Sequence, residues 1–176
     1  IYATLYCDLI ERFPLFETLF VETFDNYLTL YDNITSISDG EDYDAFCTQN
    51  QINSERRAFT TFIVNLTIKN KISQTRLFDL CWKLQTTFDA SILEEGNIPL
   101  CEELCENIFI MMTLGYECLK TQSKYASLNG KMTIVKNTKP SEVKSLTSRT
   151  KFKYYDMFDY VEKKEKEKAN KCEKQE

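Results

Sequence analysis

The chain has 176 residues and a mass of 20.7 kDa, with 43% apolar and 13% aromatic residues, which is material for one domain with a real core rather than for a disordered chain. Histidine is absent, which removes the usual general base of hydrolases, the Ser/His and Cys/His pairs and every His-containing metal site. The four glycines (Gly40, Gly96, Gly115, Gly130) are too scattered for a phosphate-cradling loop, so neither nucleotide binding nor an enzyme is expected.

Tyr2, Leu5, Tyr6, Leu9, Ile10 and Phe13 form an apolar stripe at three- and four-residue spacing, which predicts a short helix ended by Pro14. After Pro14 the run Phe16, Leu19, Phe20, Phe24, Tyr27, Leu28, Tyr31 predicts a second, antiparallel helix of about four turns. An acidic loop from Asp32 to Asp44, containing Asp39-Gly40, follows; it does not match a calcium loop, and Asn53 or Ser54 is the expected cap of the next helix. The stripe through Phe59, Phe62, Ile63 and Leu66 runs to about Lys69, and a helix capped by Ser73 carries Leu77, Leu80, Cys81, Leu84 and Phe88. Trp82 reads as either an interface anchor or a partly buried residue.

Glu94-Glu95-Gly96-Asn97 marks a break, and Pro99 opens a long helix with Leu100, Leu104, Ile108, Met111 and Met112. Residues 127–135 carry two competing signals: Asn129-Gly130 between apolar residues suits a hairpin, while Gly130 also suits a helix C-terminus; context favours helix. Pro140 and Ser141 are expected to start the last helix, with Val143, Leu146, Phe152, Tyr155 and Phe158 inward. Residues 162–176 form a charged tail, read as a frayed helical extension or disorder. The expected fold is therefore all-α, a right-handed solenoid of antiparallel helix pairs over residues 1–161.

Seven cysteines, an odd count, suggest reduced thiols. Cys101 and Cys105 share a helix face but lack the C-x2-C spacing and second pair of a zinc knuckle, so small apolar packing residues are expected and no metal or cofactor is. No apolar run approaches the roughly 18 to 20 residues of a membrane span, and the first residues lack the order of a signal peptide, so the chain reads as soluble and cytoplasmic, without a membrane partner. Its opening on Ile1 is read as loss of upstream residues.

The net charge of −5 hides an alternation. Residues 1–50 hold ten acids against Arg12, residues 51–93 six bases against three acids, residues 94–119 six Glu and no base, and residues 120–154 nine bases against Glu142. Such blocks read either as patches for different partners or as solvated faces; in the last block, Lys120, Lys124, Lys131 and Lys136 are interleaved with Tyr125, which suits RNA.

Tyr2-Ala3-x-Leu5 opens the first helix, Arg56-Arg57 stands ahead of Phe62-Ile63-x-x-Leu66, and Ser148-Arg149-x-Lys151-Phe152-x-x-x-Asp156-Met157-Phe158-Asp159 lies in the last helix. In that order they resemble the opening of the first repeat, the arginine cluster and the last-helix pattern of the middle domain of eukaryotic translation initiation factor 4 gamma, a HEAT-type repeat domain. Lys outnumbers Arg 17 to 5, which suits an AT-rich genome and a divergent unicellular or viral version. The resemblance implies a translation-initiation scaffold that grips a DEAD-box RNA helicase of the 4A type and contacts RNA, and leaves open a cap-binding protein attached upstream of Ile1. Carried onto this chain, Arg149, Lys151, Phe152 and Asp156 are the expected helicase contacts, and Arg56, Arg57, Lys120, Lys124, Lys131 and Lys136 the expected RNA contacts. Arg56 and Arg57 equally suit ion pairs between repeats, and Asp156 and Asp159 are expected to orient Arg149 or Arg57. Scaffolds of mRNA decay, splicing or poly(A) regulation, and a plain RNA-binding solenoid, are the alternatives.

Overall fold

The computed structural model describes residues 1–32, 34 and 43–172; the Asp39-Gly40 step of the expected acidic loop lies outside them. Every regular element among the described residues is helical, as the spacing predicts. Helix α1 (Tyr2–Arg12) stops ahead of Pro14, and Phe13 leaves the helical region with φ −135°. Helix α2 (Leu15–Asp25) is shorter than expected. It ends at Asn26, and the chain tightens into a 3-10 turn, Tyr27–Tyr31, that draws both tyrosines into the interior with their hydroxyls 2.8 Å apart.

Helix α3 (Tyr43–Ile68) corrects the expected cap at Asn53 or Ser54, since the chain is already helical at Tyr43. The Ser54 hydroxyl donates back to the Asn50 carbonyl at 2.9 Å, and the polar first half is braced by Gln49–Asn53 and Gln51–Glu55 pairs one turn apart. Its end is made by Asn70 at φ 59°, which turns the chain so that the Lys71 N–H reaches the Leu66 carbonyl at 2.9 Å. Helix α4 (Gln74–Ser91) has the expected cap, the Ser73 side chain accepting from the Arg76 N–H. Gly96, at φ 85°, makes the turn into α5 (Ile98–Leu114), with Pro99 in its first turn.

The short α6 (Tyr116–Leu119) follows α5 through Gly115, where a Cβ would sit 2.7 Å from the Met111 carbonyl oxygen. Helix α7 (Tyr125–Asn137) resolves the hairpin-or-helix alternative as helix, but Gly130 lies in its middle rather than at its end. The start expected at Pro140 is corrected: residues Pro140–Glu142 form one 3-10 turn, and α8 (Ser148–Cys172) begins later. Between them the chain is tied down, with Lys144 and Ser145 N–H groups on the Ile92 carbonyl at 3.0 Å and the Ser145 hydroxyl on the Glu94 carbonyl at 2.5 Å. Thr147 then caps α8 by accepting from the Thr150 N–H at 3.2 Å.

Contacts run in order along one row, α1 with α3, α3 with α5 and α5 with α8, while α4 packs under α3 and α5 and against α6 and α7. The core lies between these rows, where Ile63, Leu66, Leu77, Leu84, Phe88, Leu104 and Ile108 are fully buried. No helix among the described residues is long and apolar enough to cross a membrane.

Candidate interaction surface

Helix α5 carries three carboxylates pointing two ways. Glu103 points inward, 1% exposed, where it meets both arginines of α3: Arg57 at 2.5 Å and Arg56 at 3.5 Å. Burying a carboxylate costs several kcal/mol unless it is paired and hydrogen-bonded, and Glu103 also accepts from the Asn107 side chain at 2.8 Å. Arg56 is 5% exposed; its remaining donors go to the Leu30 carbonyl and to Asn53 Oδ1, and its guanidinium lies 5.1 Å from the Tyr31 ring centre. Arg56, an expected RNA contact, is thus buried and held within the chain by Leu30, Asn53 and Glu103. Arg57 is half-exposed; burial lowers its pKa, and the hydrogen bond and charge of Glu103 more than offset that, so the net shift is upward.

A chain of hydroxyls extends this cluster. Because Asn107 Nδ2 donates to Glu103, its Oδ1 must accept from Thr60, 2.5 Å away. Thr60 has a single proton, so Tyr27 donates to Thr60 at 2.6 Å and Tyr31 donates to Tyr27 at 2.8 Å. Burial pushes the Tyr27 phenol up to about 12, which keeps it a donor.

Glu102 and Glu106 point the other way, toward α8. Glu106 holds Lys153 at 2.9 Å, and Arg149 lies 3.5 Å from Glu102 and 3.6 Å from Glu106 while 68% of its side chain stays exposed. Asp156 and Asp159 do not orient Arg149 or Arg57 as expected; the acids of α5 do, and Asp156 and Asp159 make no ion pair among the described residues. The sequence carried a partial signal in the block of six Glu with no base, residues 94–119, of which Glu102, Glu103, Glu106 and Glu117 find cations outside the block.

The charge blocks therefore meet one another. Glu11 faces Lys71 and Asp25 faces Arg76, first block to second; Glu103 faces Arg56 and Arg57, second to third; Glu102 and Glu106 face Arg149 and Lys153, third to fourth. Of the expected RNA-binding lysines, Lys120 pairs with Glu165 at 3.0 Å and Lys131 with Asp89 at 2.8 Å. Lys136 sits over the Phe158 and Tyr155 rings, and Lys124 alone among them has neither an acidic nor an aromatic partner among the described residues. Lys131 faces α4 and Lys136 faces α8, so the four lysines form no continuous basic strip.

What stays open is one stripe of α8. Arg149, Phe152, Asp156, Asp159 and Lys163 follow at three- and four-residue steps and all are exposed. Phe152, expected inward, is 65% exposed; Tyr154 takes the interior position, its hydroxyl donating to Gln85 at 2.9 Å and its ring 5.3 Å from Phe88. The aromatics at 152, 154, 155 and 158 contain two possible stripes, and the one whose phenol finds a buried acceptor is the one that packs. Lys151 lies off the open stripe, on the flank that carries Tyr155. The structure thus brings Arg149, Phe152 and Asp156 together and separates Lys151 from them.

A cleft of about 460 Å³ adjoins this stripe, between Phe46, Gln49 and Asn53 of α3, Pro99 of α5 and Arg149. Its charged groups, Arg57, Arg149, Glu102 and Glu103, are already paired with one another. Cys101 and Cys105 are buried in the core, and burial pushes the Cys101 thiol up to about 12 and the Cys105 thiol higher, so both are neutral packing groups. Comparison of the chain with protein-family models, with curated proteins and with solved structures finds no match.

Proposed function

We propose that the chain is a helical-repeat scaffold of RNA metabolism that docks a DEAD-box RNA helicase of the 4A type through the open stripe of α8, and that it acts in translation initiation. The observation that carries the reading is that Arg149, Phe152, Asp156 and Asp159 form an exposed row of a cation, an aromatic and two carboxylates, in which the two carboxylates have no ion pair among the described residues and Arg149 is held only by the loose contacts with Glu102 and Glu106. Covering the open part of Phe152 is worth about 2 kcal/mol, and the flanking charges supply orientation. The contacts running in order through α1, α3, α5 and α8 support stacked helix pairs of the HEAT type, an arrangement whose long edges suit docking. A two-lobed helicase samples open and closed forms, and a rigid scaffold with higher affinity for the closed one raises its population.

An RNA-binding solenoid draws less support, since Arg56 is buried and Lys120 and Lys131 are paired within the chain. The test is RNA-stimulated ATP hydrolysis by a 4A-type helicase with and without the chain. We expect stimulation by the unaltered chain, a rise of roughly tenfold or more in the half-maximal concentration for Phe152→Ala, and abolition by Arg149→Glu. No stimulation, together with no binding, overturns the reading.

A further inference from the structure

Among the described residues the outer face of α1 and α2 is also open, and its chemistry differs. Six of the eleven residues of α2 are apolar, Leu15, Phe16, Leu19, Phe20, Val21 and Phe24, yet only Phe24 is buried. Leu5 and Phe13 beside it are 52% and 55% exposed, and Leu15 and Leu19 are 69% and 51% exposed. Together these side chains leave on the order of 500 Å² of apolar surface in water, at the upper end of the roughly 300–600 Å² of the largest patch on a typical monomer, a patch that is often functional.

Charge identifies what covers it. The carboxylates on α1 and α2 are Asp8, Glu11, Glu17, Glu22 and Asp25, against Arg12 as the single base. Glu11 and Asp25 have partners in Lys71 and Arg76, whereas Asp8, Glu17 and Glu22 have no cation among the described residues. A second copy of this face would set acid against acid, and an anionic lipid surface would be repelled in the same way. We propose that the α1–α2 end docks a basic amphipathic helix of a partner protein, its apolar stripe lying on Leu5, Phe13 and Leu19 and its flanking Lys or Arg residues meeting Asp8, Glu17 and Glu22. The apolar contact supplies affinity and the charges reject other occupants.

The test uses the whole chain and a fluorescent synthetic peptide of about 18 residues, long enough for a stable amphipathic helix on docking, with Leu on one face and Lys elsewhere. Three outcomes together support the proposal: saturable binding, weakening by roughly tenfold for Leu5→Ser with Leu19→Ser, and comparable weakening for Glu17→Lys with Glu22→Lys, which changes only exposed charges. The proposal fails if the Lys-flanked peptide does not bind, if a Glu-flanked peptide with the same Leu face binds equally well, or if binding is indifferent to Leu5 and Leu19. It also fails if sedimentation shows a dimer that Leu5→Ser dissociates, which would make a second copy the occupant. Circular dichroism of each variant separates lost binding from lost fold, and the charge-reversal pair keeps the test decisive if the serine variants unfold.

Discussion

Helix α5 makes arginine–glutamate contacts on both sides, and the two contacts teach opposite lessons. On the α3 side Glu103 and Arg56 are sealed from water, Asn107 fills a further acceptor site, and a line of hydroxyls continues the network to Tyr31. On the α8 side Arg149 touches Glu102 and Glu106 only at 3.5 and 3.6 Å and keeps most of its surface in solvent. The same pair of residue types is a structural fixture where it is dry and a displaceable restraint where it is wet, because desolvation makes an unpaired charge costly only in the first case. An incoming acidic group can take Arg149 from its α5 partners at little cost, which is what a docking residue requires.

The largest effect is expected at Glu103. Glu103→Ala leaves Arg56 buried without its carboxylate, and we expect a loss of about 3–5 kcal/mol and a fall in melting temperature of about 10 °C, read by thermal denaturation. A variant that melts within a degree or two of the unaltered chain would show that water reaches Arg56. Tyr27→Phe removes one link of the hydroxyl chain and leaves Thr60 short of a donor; about 1–2 kcal/mol is expected by denaturant unfolding, with the slope of the transition unchanged. A double-mutant cycle on Arg149→Ala and Glu106→Ala sharpens the other side: a coupling below about 0.5 kcal/mol is expected there, and one above 2 would place Arg149 among the fixed contacts.

The helical elements were legible because apolar spacing and caps are local: Ser73, Gly96 and Pro99 each do at their own position what their chemistry dictates. The misread boundaries have different causes. Asn53 has the chemistry of a cap, but within α3 its side-chain oxygen accepts from Arg56 one turn on; the start of α8 at Thr147 depends on a distant contact, Ser145 being anchored 51 residues back on Glu94. Phe152 and Tyr154 could not be ranked locally, since the buried position was decided by Gln85, 69 residues away. Of the candidate site, Arg149, Phe152 and Asp156 were named through the resemblance of the Ser148–Asp159 motif, while helical spacing alone placed Phe152 inward; the role of Glu102, Glu103 and Glu106 depended on which helices flank α5, which no local pattern states.

The smallest effect lies where α8 runs on past residue 162. There Glu165 accepts from Tyr116 at 2.8 Å and from Lys120 at 3.0 Å, and Glu117 receives Lys168 in a short contact, so the charged segment is tied to α6 rather than to a core. The hydrogen bond from Lys168 holds the Glu117 carboxyl below its usual 4.5, and those from Lys120 and Tyr116 lower Glu165 likewise. A carboxyl whose folded-state pKa is depressed favours the docked form above its unfolded pKa, and that contribution is lost as pH falls through the folded value. Acidification from pH 5 to about 3 should therefore free the last turns of α8 while Tyr154 stays packed, seen as loss of helical 13C shifts in residues 162–172 without change at residue 154. Because these groups are largely exposed, 1 M salt at neutral pH should loosen the same turns by shortening the Debye length to about 3 Å. Helical shifts that persist under both conditions would mean that the segment is held by its own i,i+4 pairs, such as Glu162 with Lys166, and that its contacts with α6 contribute nothing.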